Sequence, residues 1–117
     1  MKENKLVELS MEIAIDIVNT CKQIKAIKKE HVLTNQLLRS GTSIGANIRE
    51  ANYAHSKADF IAKLQIALKE CYESEYWIEL LYKTDYMDLE TTTLLSKKLG
   101  CARRILISSI NTTKNHI

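Results

Sequence analysis

The sequence predicts an all-α fold, an up-down-up-down antiparallel four-helix bundle formed as a single domain over residues 1–117. Three observations predict it. Apolar residues fill 45% of the positions while proline is absent and glycine occurs only 3 times, a composition that favours long helices. Apolar or small residues recur at steps of three and four in two consecutive stretches, Leu37, Gly41, Ile44, Ile48 and Ala51, then Phe60, Leu64, Ala67, Cys71, Ser74, Ile78 and Leu81. Each set therefore lies on one helical stripe. Helix-start residues at Ser56 and Asp88 punctuate the chain, so the periodic stretches are joined by short turns and fold back on one another.

The first helix is expected over about residues 4–27, with Leu6, Leu9, Ile13, Ile17, Cys21 and Ile24 on one stripe and Val7, Met11, Ala14 and Val18 widening it. Lys22, Lys25, Lys28 and Lys29 crowd its end, where positive charge complements the helix dipole. The second is expected over about 32–54, starting near His31 to Thr34. Ser56 then caps a third helix over 57–83, with Asp59 placed to return a hydrogen bond. Asp88 caps a fourth over about 89–112, with Met87 as a hydrophobic staple and Leu95, Leu99, Ala102, Leu106 and Ser109 on its stripe, broadened by Leu94, Ile105 and Ile110. The tail, Lys114 to Ile117, is expected to fray.

The turn at Ser56 makes a packing claim. In an antiparallel pair turning there, facing residues have numbers summing to roughly 112. Gly45 is then expected opposite Ala67, and Gly41 opposite Cys71. Two interior glycines each cost about 1 kcal/mol relative to alanine, and close approach of the third helix is the expected reason, the alternative being a merely flexible helix. Ser43 and Asn47, nearer the core edge, are expected to bond across the hairpin to Glu70, Glu73 or Tyr76, since burial demands partners.

A net charge of +3 is mild for a polyanion-binding protein unless it is clustered. Along the sequence it is. Lys97, Lys98, Arg103, Arg104 and Lys114 form a second basic group, and Glu70, Glu73, Glu75, Glu79, Asp85, Asp88 and Glu90 an acidic block. Such segregation suits either a partner surface or ordinary solvated helix faces. Arg39, Thr42, Ala46, Arg49 and Tyr53 share a face of the second helix, the first candidate for contact with RNA. Arg39, Arg49, Lys97, Arg103 and Arg104 are the candidate nucleic-acid-binding residues. Ile66, Trp77 and Leu80 lie off the core stripe of the third helix and are expected in a subunit interface, unless a wide core reaches them.

Other chemistry is not indicated. A di-metal bundle needs inward Glu-x-x-His pairs; none occurs, and His31, His55 and His116 fall at junctions or in the tail. There is no phosphate-binding loop and no nucleophile with a helical base; Glu50 and Glu73, the only carboxylates worth weighing as acid and base, lack a pocket-forming loop. No enzymatic activity, metal or cofactor is expected. Cys21, Cys71 and Cys101 read as reduced core residues. The start of the chain lacks a secretory h-region and no uncharged run is long enough to span a bilayer, so a cytoplasmic location without membrane contact is expected.

The run Arg39-Ser40-Gly41-Thr42-Ser43-Ile44-Gly45-Ala46-Asn47-Ile48-Arg49-Glu50-Ala51, followed by Lys57 to Leu64 and Glu73 to Leu81, resembles the bacterial four-helix-bundle family of 23S ribosomal RNA intervening-sequence proteins. Their reading frames lie inside insertions within large-subunit ribosomal RNA genes. It also resembles the accessory variability determinant of diversity-generating retroelements, a basic bundle that forms a barrel-shaped homopentamer and binds nucleic acid and a reverse transcriptase. Ala51 stands where many relatives carry glycine, and the charge is more modest than in the retroelement proteins. The resemblance implies a homo-oligomer, a pentamer, whose partners are structured RNA or DNA or a protein. The alternative is a protein-interaction or scaffolding bundle that binds no nucleic acid.

Overall fold

The computed structural model describes residues 2–115, with side chains from Lys5 onward. Within them the chain forms α1 (Lys2–Lys28), α2 (Val32–Asn52), α3 (Lys57–Lys83) and α4 (Leu89–Asn115). Each helix packs on two neighbours around a square, α1 on α2, α2 on α3, α3 on α4, and α4 back on α1. The bundle measures 50 × 21 × 19 Å. The expected limits hold at both ends of α3. The largest departure is in the tail, where Lys114 and Asn115 continue α4 instead of fraying; His116 and Ile117 lie outside the described residues.

Each of the three turns is set by local chemistry. Ser56 Oγ accepts the Asp59 N–H at 3.1 Å and Asp88 Oδ1 accepts the Thr91 N–H at 2.7 Å, so α3 and α4 start where their cap residues stand. That N–H holds the Asp88 carboxyl below its ordinary range, and Met87, 5% exposed, packs beneath the turn. The start of α2 works differently. His31 makes no side-chain cap; instead the Glu30 carboxylate accepts the N–H groups of Val32, Leu33 and Thr34, each at 2.9 Å. Burial pushes the Glu30 pKa up, but these donors outweigh it and the net displacement is downward. Lys29 and Asp85, just past the ends of α1 and α3, adopt φ of 57° and 68°, the left-handed conformation that closes many helices.

The core is the set of stripes the periodicity marks out. Ile13, Ile17, Leu37, Ile44, Leu81, Leu99 and Leu106 are fully buried. The broadening residues do not all follow, because Met11 and Leu94 remain 44% and 50% exposed.

The small-residue face of α2 turns toward α1, not α3. A Cβ built on Gly41 would lie 2.4 Å from Ile17 Cδ1, and one on Gly45 would lie 3.2 Å from Ser10 Oγ, both atoms of α1. Close approach is the reason for the glycines, as expected, but the approaching helix is the other neighbour; Ala67 and Cys71 are fully buried without being their nearest contacts. The cross-hairpin bonds expected of Ser43 and Asn47 are also absent. Ser43 Oγ donates to the Arg39 carbonyl at 2.6 Å and Asn47 Nδ2 to the Ser43 carbonyl at 2.9 Å, both within α2.

A buried polar link between α2 and α3 is Ser74 Oγ donating to Ser40 Oγ at 2.8 Å, with both residues 0% exposed. Ser40→Ala strands the Ser74 hydroxyl in the core, at a cost of about 1–3 kcal/mol, whereas Ser74→Ala leaves Ser40 Oγ its longer bond to the Leu37 carbonyl at 3.4 Å and should cost less. Changing both removes the stranded group, so the double variant is expected to lose less than the sum of the singles. Urea midpoints of the three variants check this; strictly additive losses would deny the shared bond.

Candidate nucleic-acid and subunit interfaces

Arg39, Thr42, Ala46, Arg49 and Tyr53 all face solvent, as their spacing on α2 requires. Their charges are unequal. The Arg39 guanidinium is clasped by Glu73, with Glu70 at 3.5 Å, and Glu70 retains only 15% of its side-chain exposure. Arg39 is thereby largely neutralised by α3. Arg49 makes no ion pair among the described residues; its neighbour Glu50 turns instead to Lys63 at 2.9 Å.

A similar division holds on α4. Arg103 grips Glu75 through Nε at 3.1 Å and Nη2 at 3.3 Å, which raises its pKa further. Lys98 Nζ lies 2.6 Å from Asp16 and 3.4 Å from Glu12, both on α1, and its pKa is raised by the Asp16 bond. Lys97 and Arg104 are exposed and carry no carboxylate partner among the described residues. Part of the acidic block of the sequence is thus neutralised, Glu70 and Glu73 by Arg39 and Glu75 by Arg103 across helices and Glu79 by Lys83 within α3. Of the five candidate contacts, Arg49, Lys97 and Arg104 remain available to an outside anion.

The apolar flank of α3 lies on its α2 side, the side on which Glu70 and Glu73 meet Arg39. Ile66 is 42% exposed there. Trp77 and Leu80 are half-buried; Trp77 packs against the core and its Nε1 donates to Glu73 at 3.0 Å. Exposure at two residues escaped the sequence reading, Tyr72 at 52% and Tyr76 at 58%. Their positions outside every core stripe of α3 were the available signal.

No group of His, Cys, Asp and Glu able to hold a metal exists among the described residues, and no described helix is long and apolar enough to cross a membrane. Burial pushes the Cys21 and Cys71 thiols up to about 11 and about 12, which leaves them protonated and unreactive; Cys101 is only half-buried. A groove of about 650 Å³ opens at one end of the bundle, where Ile24 and Ile27 face Tyr82, Tyr86 and Met87. Glu50 and Glu73 lie outside it, each held by a cation.

The molecule is thus a four-helix-bundle protein that exposes cations on α2 and α4 and an apolar flank on α3. The 23S rRNA-intervening sequence protein family matches residues 2–108, and the chain belongs to that family. It is similar to the crystal structure of a protein of unknown function from the S23 ribosomal protein family of Bacteroides thetaiotaomicron VPI-5482, with a TM-score of 0.93 and 50% identity over 95% of this chain and 99% of that one. No curated protein matches it significantly.

Proposed function

We propose that the chain is a non-enzymatic, homo-oligomeric protein of the cytoplasm that binds nucleic acid through its surface cations, assembled as a pentamer in keeping with its resemblance to the retroelement determinant. The observation that carries this reading is that Arg49, Lys97 and Arg104 stand exposed without carboxylate partners among the described residues while the other candidate cations are paired. Helix faces with scattered cations reach phosphates more readily than base edges, so binding should be largely indifferent to sequence. Assembly strengthens the argument. One subunit at +3 attracts a polyanion feebly, whereas five carry about +15 in one compact field.

The test is a salt titration of RNA binding by the parent and by the triple variant Arg49→Glu, Lys97→Glu, Arg104→Glu. Each lost phosphate contact should lower the slope of log affinity against log salt by about 1, so the triple variant should lose about 3. A folded variant with the parent's slope and affinity would show these residues to be the wrong ones. The pairing of Arg39, Lys98 and Arg103 with carboxylates favours a second reading, a scaffolding bundle whose charges serve its own packing. That reading stands if the parent binds no structured RNA or DNA at about 50 mM salt, where phosphate contacts count most.

A further inference from the structure

We propose that the outer face shared by α3 and α4 is a stacking platform for single-stranded nucleic acid, with Tyr72 and Tyr76 as the rings that receive bases. This rests on the nucleic-acid reading above and adds the strand state and the residues that select it. Both rings stand more than half exposed, one helical turn apart on α3. Neither is loose. The Trp77 ring meets Tyr76 edge-on, with centroids 5.0 Å apart and planes at 73°. The Arg103 guanidinium lies 5.8 Å above the Tyr72 ring and is itself fixed by its two bonds to Glu75. Each ring therefore has one supported side and substantial exposed area, the preorganised arrangement in which stacking costs least side-chain entropy.

The charges around the rings suit a phosphate backbone. Lys69, one turn before Tyr72 on α3, and Arg104, which lies beside Arg103 over Gly100 on α4, are exposed and unpaired among the described residues. The carboxylates of this face, Glu75 and Glu79, are offset by Arg103 and Lys83. What remains is net positive charge beside two aromatic rings, the combination by which proteins hold single strands without reading their sequence. Spacing separates single strand from duplex. Residues four apart are offset by about 6 Å along the helix, whereas successive nucleotides of one duplex strand rise by about 3.4 Å. Bases on both rings must be drawn apart from each other, which an extended single strand permits and a stacked duplex does not. Tyr72 is tied to the α4 side through Arg103, and Tyr76 touches Trp77 at the edge of the Ile66 flank, so the platform adjoins that flank.

Fluorescence anisotropy with a labelled oligouridine of about 15 nucleotides, within the span of single-strand sites, tests this against an RNA duplex of equal length at low salt. The proteins compared are the parent, the pair Tyr72→Ala with Tyr76→Ala, and the pair Tyr72→Phe with Tyr76→Phe. The parent should prefer the single strand. The alanine pair should weaken that binding about tenfold or more per ring while leaving duplex binding unchanged, and the phenylalanine pair should retain it. Unchanged single-strand affinity in the alanine pair, or a parent that prefers duplex, overturns the platform while leaving phosphate binding in place. A drop in sedimenting mass of the alanine pair overturns it by assigning the rings to a contact between copies. A parent that binds neither probe refutes the nucleic-acid reading itself.

Discussion

Gly41→Leu is expected to destabilise the fold by about 3 kcal/mol or more, and even Gly41→Ala by about 1–3 kcal/mol, although alanine at an open helical position would add about 1. A Cβ at Gly41 falls 2.4 Å from Ile17 Cδ1 and 3.2 Å from Ile17 Cγ2. Ile17 is 0% exposed and cannot retreat into solvent, and its β-branch leaves one strongly preferred χ1 in a helix. Cδ1 can turn on χ2 only into a packed core, so the clash is relieved by a strained Ile17 rotamer or by parting α1 from α2. Gly45 supplies the control. Its nearest neighbours would be Ser10 Oγ at 3.2 Å and Ser10 Cβ at 3.5 Å, so alanine there needs a shift of only a few tenths of an ångström and should be nearly neutral. Thermal melts rank the variants, each kcal/mol being worth about 4 °C in a chain of this size. A leucine at position 41 that melts with the parent would deny the close approach to α1.

Ile66→Asp is expected to convert an oligomeric parent into a monomer at roughly tens of micromolar without loss of helicity. Ile66 is 42% exposed on the isolated subunit, so a carboxylate there is solvated in the monomer and desolvated only if a second copy covers it. The cost of burying an unpaired charge is several kcal/mol per contact, and each 1.4 kcal/mol is about tenfold in affinity. Trp77→Ala is less discriminating, because Trp77 packs on its own core and bonds Glu73, so it should lower stability as well as assembly. Sedimentation equilibrium with circular dichroism separates the two effects. A parent that sediments as a monomer removes the assembly, and an Ile66→Asp variant that remains assembled removes this flank from the interface.

The helices and two of the three caps that start α2, α3 and α4 were legible because their signals are local. Ser56 and Asp88 each bond an N–H three residues away, and a cap residue announces itself without knowledge of the rest of the chain. Glu30 was not legible. It caps α2 from outside the first turn with a longer side chain, a geometry lacking the usual Ser, Thr, Asp or Asn signature. The glycines showed that some helix comes close to α2 but not which, since α1 and α3 flank the same stripe and both end in turns of a few residues. The candidate cations were half legible. Arg39 with Glu73, Glu50 with Lys63 and Ser40 with Ser74 all sum to within about two of the value that the Ser56 turn dictates. Applied to charges as well as to small residues, that register would have marked Arg39 as paired. Arg103 with Glu75 and Lys98 with Asp16 depend on the rotation of α4 about its axis, which no turn specifies.

The square of helices also has an order of assembly. Three of its seams join consecutive helices across short turns, so each can form from a local hairpin. The fourth joins α4 to α1, where Lys98 meets Asp16 across 82 positions of sequence. Bringing such distant segments together carries a loop-closure entropy that grows by about 0.6 kcal/mol with each doubling of length, offset only once the contact exists. Unless neighbouring seams form first and shorten the effective loop, that cost falls on a single step. The ring is therefore expected to zip from its central helices outward, to close last at α1 and α4, and to reopen there first. A partner bridging those two helices would act on the unfolding rate of the whole bundle, a kinetic brake applied at its final seam.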